Sequence, residues 1–159
     1  MLDPKLVAFV TSHLSIHIAS CDAHSRASVA RAHGCRVDGE RIVVLVSASQ
    51  TESLRKNIGE SGRVATIFNE PESHRSLQLK GTDGLVGEAT QQDRDSLDVY
   101  LAAMSERLKV FDVPESYTWT LCGCDPDDLV TISFTPEDAF TQTPGAHAGN
   151  RLPSRDALP

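Results

Sequence analysis

Apolar and polar positions change period several times along this chain, and each change marks an element boundary. Leu6, Val7, Phe9, Val10 and Leu14 share one helical face. They follow Asp3-Pro4, a capping acceptor and then a proline whose missing N–H is harmless in a first turn. From Ser15 the period falls to two. Ile16 and Ile18, then Ala27 and Val29, alternate with polar neighbours as in half-buried strands. The turn Asp22-Ala23-His24-Ser25 predicts a hairpin of residues 15–22 and 27–37. Asp38-Gly39 supplies a second tight turn. It leads into Arg41-Ile42-Val43-Val44-Leu45-Val46, a β-branched run with no wet face and hence a central or doubly covered strand.

Ser49-Gln50-Thr51-Glu52 then reads as a capping box. Leu54 and Ile58 give the helix after it one inward face, which Gly59 or Gly62 can end. Val64 to Phe68 returns to strand. Residues 76–89 admit two readings: a hairpin turning at Asp83-Gly84, or one long strand bent at Gly81 or Gly84. The shortness of both halves favours the bent strand. Thr90, with Asp93 three residues on, caps a longer helix whose inner stripe is Leu97, Tyr100, Leu101, Met104 and Leu108. A loop containing Pro114 and Pro126 precedes a last strand, Leu129 to Phe134. After Gly145 the composition turns to Gly, Pro, Ala and Arg, which predicts a flexible tail over 150–159 behind one domain of residues 1–149.

The 159 residues suit one domain, and 40% hydrophobic with 23% charged residues is a globular balance, not that of a disordered chain. A formal net charge of -7 argues against nucleic acid and against an anionic membrane surface, both of which need clustered cations. The longest apolar run, Ile42 to Val46, is strand-sized. Met1-Leu2-Asp3-Pro4-Lys5 lacks the pattern of a secretion signal, so a cytoplasmic location is expected. Cys21, Cys35, Cys122 and Cys124 have no disulfide-framework spacing, and Cys122-Gly123-Cys124 is one residue short of C-x-x-C. Buried, idle thiols are expected.

Candidate chemistry is sparse. His13 and His17 stand four apart, the spacing of two ligands on a helix, but His17 falls where the period is already that of a strand. No metal site is expected. Gly59-Glu60-Ser61-Gly62 misses the nucleophile elbow G-x-S-x-G by one place. Gly81, Gly84 and Gly87 fit bends, not a dinucleotide fingerprint. The run Asp125, Asp127, Asp128 lacks calcium-loop spacing and reads as a solvated turn. Val46-Ser47-Ala48-Ser49-Gln50-Thr51 remains, a strand leading through serines to a helix start. It is either an ordinary cap or an anion seat, with the Glu52 carboxylate competing for the same positive potential.

The order of these segments resembles the FMN-binding split barrels, the pyridoxamine 5'-phosphate oxidase-like superfamily. The resemblance runs over residues 5–149. It rests on Ser15–Asp22, Ala27–Asp38, Arg41–Ala48, the helix from Thr51, Arg63–Phe68, His74-Arg75-Ser76-Leu77-Gln78-Leu79-Lys80-Gly81, the helix from Thr90, and the closing Phe140-Thr141-Gln142-Thr143-Pro144-Gly145. It implies a mainly β protein with flanking helices: a six-stranded antiparallel split β-barrel, paired as a homodimer with flavin between subunits. One strand would run through Gly81 toward Ala89. FMN is the implied cofactor. By position its phosphate would meet Arg26, Ser28 and Arg31, then Ser47 and Ser49, then Thr51 and Ser53, with Arg75 and Gln78 lining the flavin groove.

Two departures stand out. Leu54 occupies a place where relatives often carry lysine. The strand arginine of relatives aligns with Ala30, leaving Arg31 one place off and, in an unbulged strand, on the opposite face. At about 1.5–3 kcal/mol for each charge-assisted bond, losing both weakens flavin binding about a hundredfold or more.

The resemblance implies a flavin-dependent oxidoreductase acting on a small molecule, in which the ring performs the electron chemistry and no side chain need be catalytic. The competing readings are a dimeric barrel that holds flavin, haem or another planar ligand without turnover, and a deazaflavin-using reductase. True pyridoxamine phosphate oxidase activity is not expected, because no additional basic C-terminal segment is present to take the substrate phosphate.

Overall fold

Asp3 opens the first helix as its sequence requires. Its Oδ1 accepts from the backbone N–H groups of Lys5 (2.7 Å) and Leu6 (3.2 Å), and α1 runs Pro4–Val10. A computed structural model describes residues 2–152. Within them lie two antiparallel sheets. The first is ordered β2 (Ala27–Arg31), β1 (Ser15–Cys21), β5 (Val64–Asn69), β6 (Ser76–Gly81), β9 (Asp138–Thr141). The second is ordered β3 (Cys35–Asp38), β4 (Arg41–Ser47), β8 (Leu129–Phe134), β7 (Leu85–Glu88). The helices α2 (Glu52–Ser61), α3 (Gln91–Leu108) and α4 (Glu115–Cys122), with short 3-10 turns at Lys109–Phe111 and Pro126–Asp128, complete the described elements.

The expected six closed strands are therefore nine segments in two sheets, and the reason lies in two corners. The strand expected over 27–38 changes sheets midway: the Ala32 N–H donates to Ile16 O of β1 (2.9 Å), while the next N–H, of His33, donates to Leu45 O of β4 (2.8 Å). The other corner lies between β6 and β7. These segments pair with different sheets and not with each other, so Asp83-Gly84 is not a hairpin turn and the bent strand is observed. The Asp83 carboxylate fixes this corner by accepting from Thr135 N (2.8 Å), Thr135 Oγ1 (2.8 Å) and Arg41 Nη1 (2.6 Å). Burial pushes its pKa up, but these bonds outweigh burial and hold it below the ordinary carboxylate value. At these two corners the chain passes from one sheet to the other, so the expected barrel is observed as two antiparallel sheets and not as one closed ring of strands.

β4 has no wet face because both sides are covered. Ile42, Val44 and Val46 enter the core between the sheets, whereas Leu45 packs with Ala89, Leu97 and Leu129. Thr90 and Asp93 form the expected reciprocal cap of α3. The Tyr100 hydroxyl donates to Leu14 O (3.0 Å). Tyr100→Phe strands that carbonyl acceptor in the interior, and a loss of about 1 kcal/mol is expected in chemical denaturation.

Three local expectations change. The loop expected between Pro114 and Pro126 contains α4, whose Tyr117, Trp119 and Leu121 face outward while Thr118 and Cys122 are buried, so no inward apolar stripe advertised it. Leu129–Phe134 is not the last strand, since β9 follows and pairs with β6. Residues 149–152 run back along β9, with Gly149 N–H to Thr141 O (2.7 Å) and Leu152 N–H to Ala139 O (2.8 Å). The rest of the expected tail, residues 153–159, lies outside the described residues.

Candidate functional site

β4 ends at Ser47, and its register against β8 pairs Ser47 with Leu129. That pairing brings the residue before Leu129, Asp128, alongside the strand end, where Ala48 N–H donates to Asp128 O (2.7 Å). Pro126 in the short turn Pro126–Asp128, capped by the Asp125 side chain accepting from Asp127 N–H (2.9 Å), fixes the approach. Asp125 and Asp127 are exposed, as the acidic run suggested, and Asp128, partly open to solvent, also bonds back to the strand end. Its carboxylate accepts from the Ser47 hydroxyl, from Ser49 N–H (2.9 Å) and from Ser49 Oγ (2.7 Å). Those hydroxyl bonds, with Arg55 nearby, hold its pKa below the ordinary carboxylate value.

The capping box expected at Ser49–Glu52 does not form. Thr51 is the N-cap residue of α2 but its side chain does not cap the helix; Thr51 Oγ1 donates back to Ser47 O (2.6 Å). Ser49 is already committed to Asp128. Arg55 reaches over the same turn, its Nη2 donating to Ala48 O (3.0 Å).

A second group of expected residues converges beside α2. Arg26, Ser28 and Ser53 line a cavity of about 400 Å³ together with Asp22, Lys56, Asn57 and Glu60. Asn57 Nδ2 donates to Ser28 Oγ (3.2 Å), and Arg26 Nε pairs with Asp22 Oδ2 (2.8 Å). Two cations thus face two carboxylates, and this cleft is polar without being strongly charged.

The other expected residues lie elsewhere. The β1–β2 register runs unbroken from Cys21↔Ala27 to His17↔Arg31. No bulge intervenes, so Arg31 stands on the strand face opposite Ser28. Its Nη1 lies 3.5 Å from Ser15 Oγ. Burial, with Arg31 alongside, lowers the His17 pKa. Arg75 lies over the Phe9 ring at 4.5 Å and lines a cavity of about 840 Å³ with Thr143, His147 and Arg151. Gln78 Oε1 accepts from Gln142 Nε2 (3.3 Å). Leu54 is core, so a lysine there would be driven into the apolar interior.

Sequence reasoning missed Asp128, Arg55, Lys56 and Asn57. The last three follow Leu54 directly on α2, where consecutive residues point in different directions, and they divide between the turn at Ala48 (Arg55) and the cleft (Lys56 and Asn57). Asp128 could not be read locally, because its place depends on a pairing 81 residues distant.

Burial holds three of the thiols, Cys35, Cys122 and Cys124, in their weakly nucleophilic protonated form. All four cysteines are free, and burial raises Cys122 and pushes Cys124 up to about 11. Among the described residues no three His, Cys, Asp or Glu side chains converge on a cation position, and no helix is long and apolar enough to cross a membrane.

The two-sheet fold is shared with several solved structures. HupZ from Group A Streptococcus superposes with a TM-score of 0.54 at 16% identity, over 94% of this chain and 100% of that one. A putative pyridoxamine 5'-phosphate oxidase from Lactobacillus delbrueckii gives 0.52 at 16% identity, over 87% of this chain and 93% of that one. One from Listeria innocua gives 0.50 at 12%, over 88% and 97%. No protein-family model and no curated protein matches the sequence.

Proposed function

We propose that this chain is a homodimeric split barrel that binds a flavin-type ring at its subunit seam, with FMN the first candidate and an oxidoreductase activity following from the ring. Beyond the fold, the observation that carries this reading is the cleft between the β1–β2 turn and α2, which gathers Arg26, Ser28 and Ser53 with Lys56 and Asn57. Hydroxyl, amide and balanced charged groups at that density suit the hydroxyl-bearing chain of a flavin. When bound, the ring accepts and returns electrons; the chain orients it and shields it from water.

Ser53 is exposed on α2. Ser53→Leu is therefore expected to leave stability unchanged while weakening flavin binding about tenfold, the equivalent of ~1.4 kcal/mol. Quenching of flavin fluorescence measures the affinity. A dimer that quenches flavin and is reduced by a nicotinamide cofactor supports the oxidoreductase reading. One that binds flavin but passes no electrons supports a ring-holding protein without turnover. A protein that ignores flavins altogether contradicts both.

The Asp128 carboxylate favours a second version of the same reading, in which the ring is held without a phosphate at the end of β4.

A further inference from the structure

The donors at the end of β4 are those of an anion seat: a backbone N–H at Ser49, the hydroxyls of Ser47 and Ser49 (3.1 Å apart), and the Arg55 guanidinium over the following turn. The anion is already present, because the carboxylate of Asp128 accepts from all three Ser47 and Ser49 donors. The seat is also covalently supplied. Asp128 is one residue from the β4–β8 ladder, and its own carbonyl accepts from Ala48 N–H, so the carboxylate arrives with the fold. Arg55 Nη2 is placed at this turn by its bond to Ala48 O, and its Nε is buried without a hydrogen-bond partner.

We infer that Asp128 is a specificity-determining residue: its carboxylate fills the place of a ligand phosphate at Ser47 and Ser49, and the chain thereby selects flavin-type rings that lack a phosphate over those that carry one.

A phosphate entering this seat meets a carboxylate at hydrogen-bonding range and must displace it from three donors. Rejection by like charge and by occupied donors is a recognised route to selectivity. The inference deepens the flavin reading above and rests on it for the ring. The seat itself is tested separately by inorganic phosphate.

The experiment titrates the full chain and its Asp128→Ser variant with FMN, riboflavin and inorganic phosphate. Flavin fluorescence follows the first two and calorimetry the third. Serine removes the carboxylate and keeps the backbone bond to Ala48. The wild type is expected to bind FMN no tighter than riboflavin. Asp128→Ser is expected to gain about tenfold or more for FMN with riboflavin unchanged, and to bind inorganic phosphate where the wild type does not.

A wild type that prefers FMN tenfold over riboflavin, or a folded Asp128→Ser protein without gain for FMN or phosphate, overturns the inference. If neither protein takes any flavin, the flavin reading fails. Phosphate binding then decides the seat: bound by the variant alone the inference about the seat stands, and bound by neither it falls. Should thermal melting reveal an unfolded Asp128→Ser, Asp128→Asn keeps the acceptor oxygen and loses the charge. The same direction of change is then required of it.

Discussion

Gly81→Val is expected to destabilise the protein by about 3 kcal/mol, the upper end of what overpacking costs. Gly81 is the last residue of β6, at the corner where that strand leaves the first sheet. A Cβ there runs into the carbonyl oxygen of Thr135 and comes within 2.9 Å of Phe134 Cδ2. Neither neighbour can yield cheaply. Phe134 is fully buried in the core, and Thr135 is held by its bonds to Asp83 while Glu137 N–H donates to Lys80 O (2.8 Å). Gly59→Ala is the control. It lies within α2 and a Cβ there meets nothing within 4 Å, so removing a helical glycine is expected to stabilise by up to about 1 kcal/mol. Urea unfolding distinguishes the two, with midpoints moving in opposite directions at an unchanged slope.

Asp93→Ala is expected to cost about 3 kcal/mol. The Asp93 side chain is 1% exposed. Its carboxylate accepts from Arg36 Nε (2.7 Å), Thr90 N–H (2.9 Å) and Thr90 Oγ1 (2.8 Å), joining the start of α3 to β3. Alanine removes the cap of a long helix and leaves Arg36 without its principal partner, although that arginine is 36% exposed and water offsets part of the loss. Burial pushes the Asp93 pKa up, but the bonds from Arg36 and Thr90 outweigh burial and leave it below the ordinary value. A depressed folded pKa gives stability that is complete above the unfolded value of about 3.9 and is lost as pH falls through the folded one. The stability difference between wild type and Asp93→Ala is therefore expected to be flat near neutrality and to shrink below about pH 4. A difference that grows on acidification contradicts the pairing.

Local signals carried much of the fold. Period-two alternation located β1 and β8, the Asp3 and Thr90 caps located α1 and α3, and the unbroken apolar run of β4 foretold cover on both faces. In β2 alternation gave a strand but the wrong face, since Ala27 and Val29 are exposed. The corners were less legible. Whether residues 27–38 or 76–89 stay in one sheet depends on which carbonyl receives His33 N–H or which strand pairs with Leu85, and neither is written locally. α4 escaped because its large apolar side chains face outward.

The site divides in the same way. Arg26, Ser28 and Ser53 come together because a turn and a helix start are adjacent in the fold, while Arg31 turns away by strand alternation alone. Ser47 and Ser49 do come together, but around Asp128, a residue 81 positions after Ser47 in the chain.

Two copies of the chain are expected to close around a flat ring. Sedimentation velocity with FMN and, in a parallel run, with riboflavin, followed at the flavin's visible absorption and at the protein's own, tests this directly. The expected result is flavin colour travelling with a species of two chains. Colour left behind at the meniscus while the protein sediments as a single chain contradicts it.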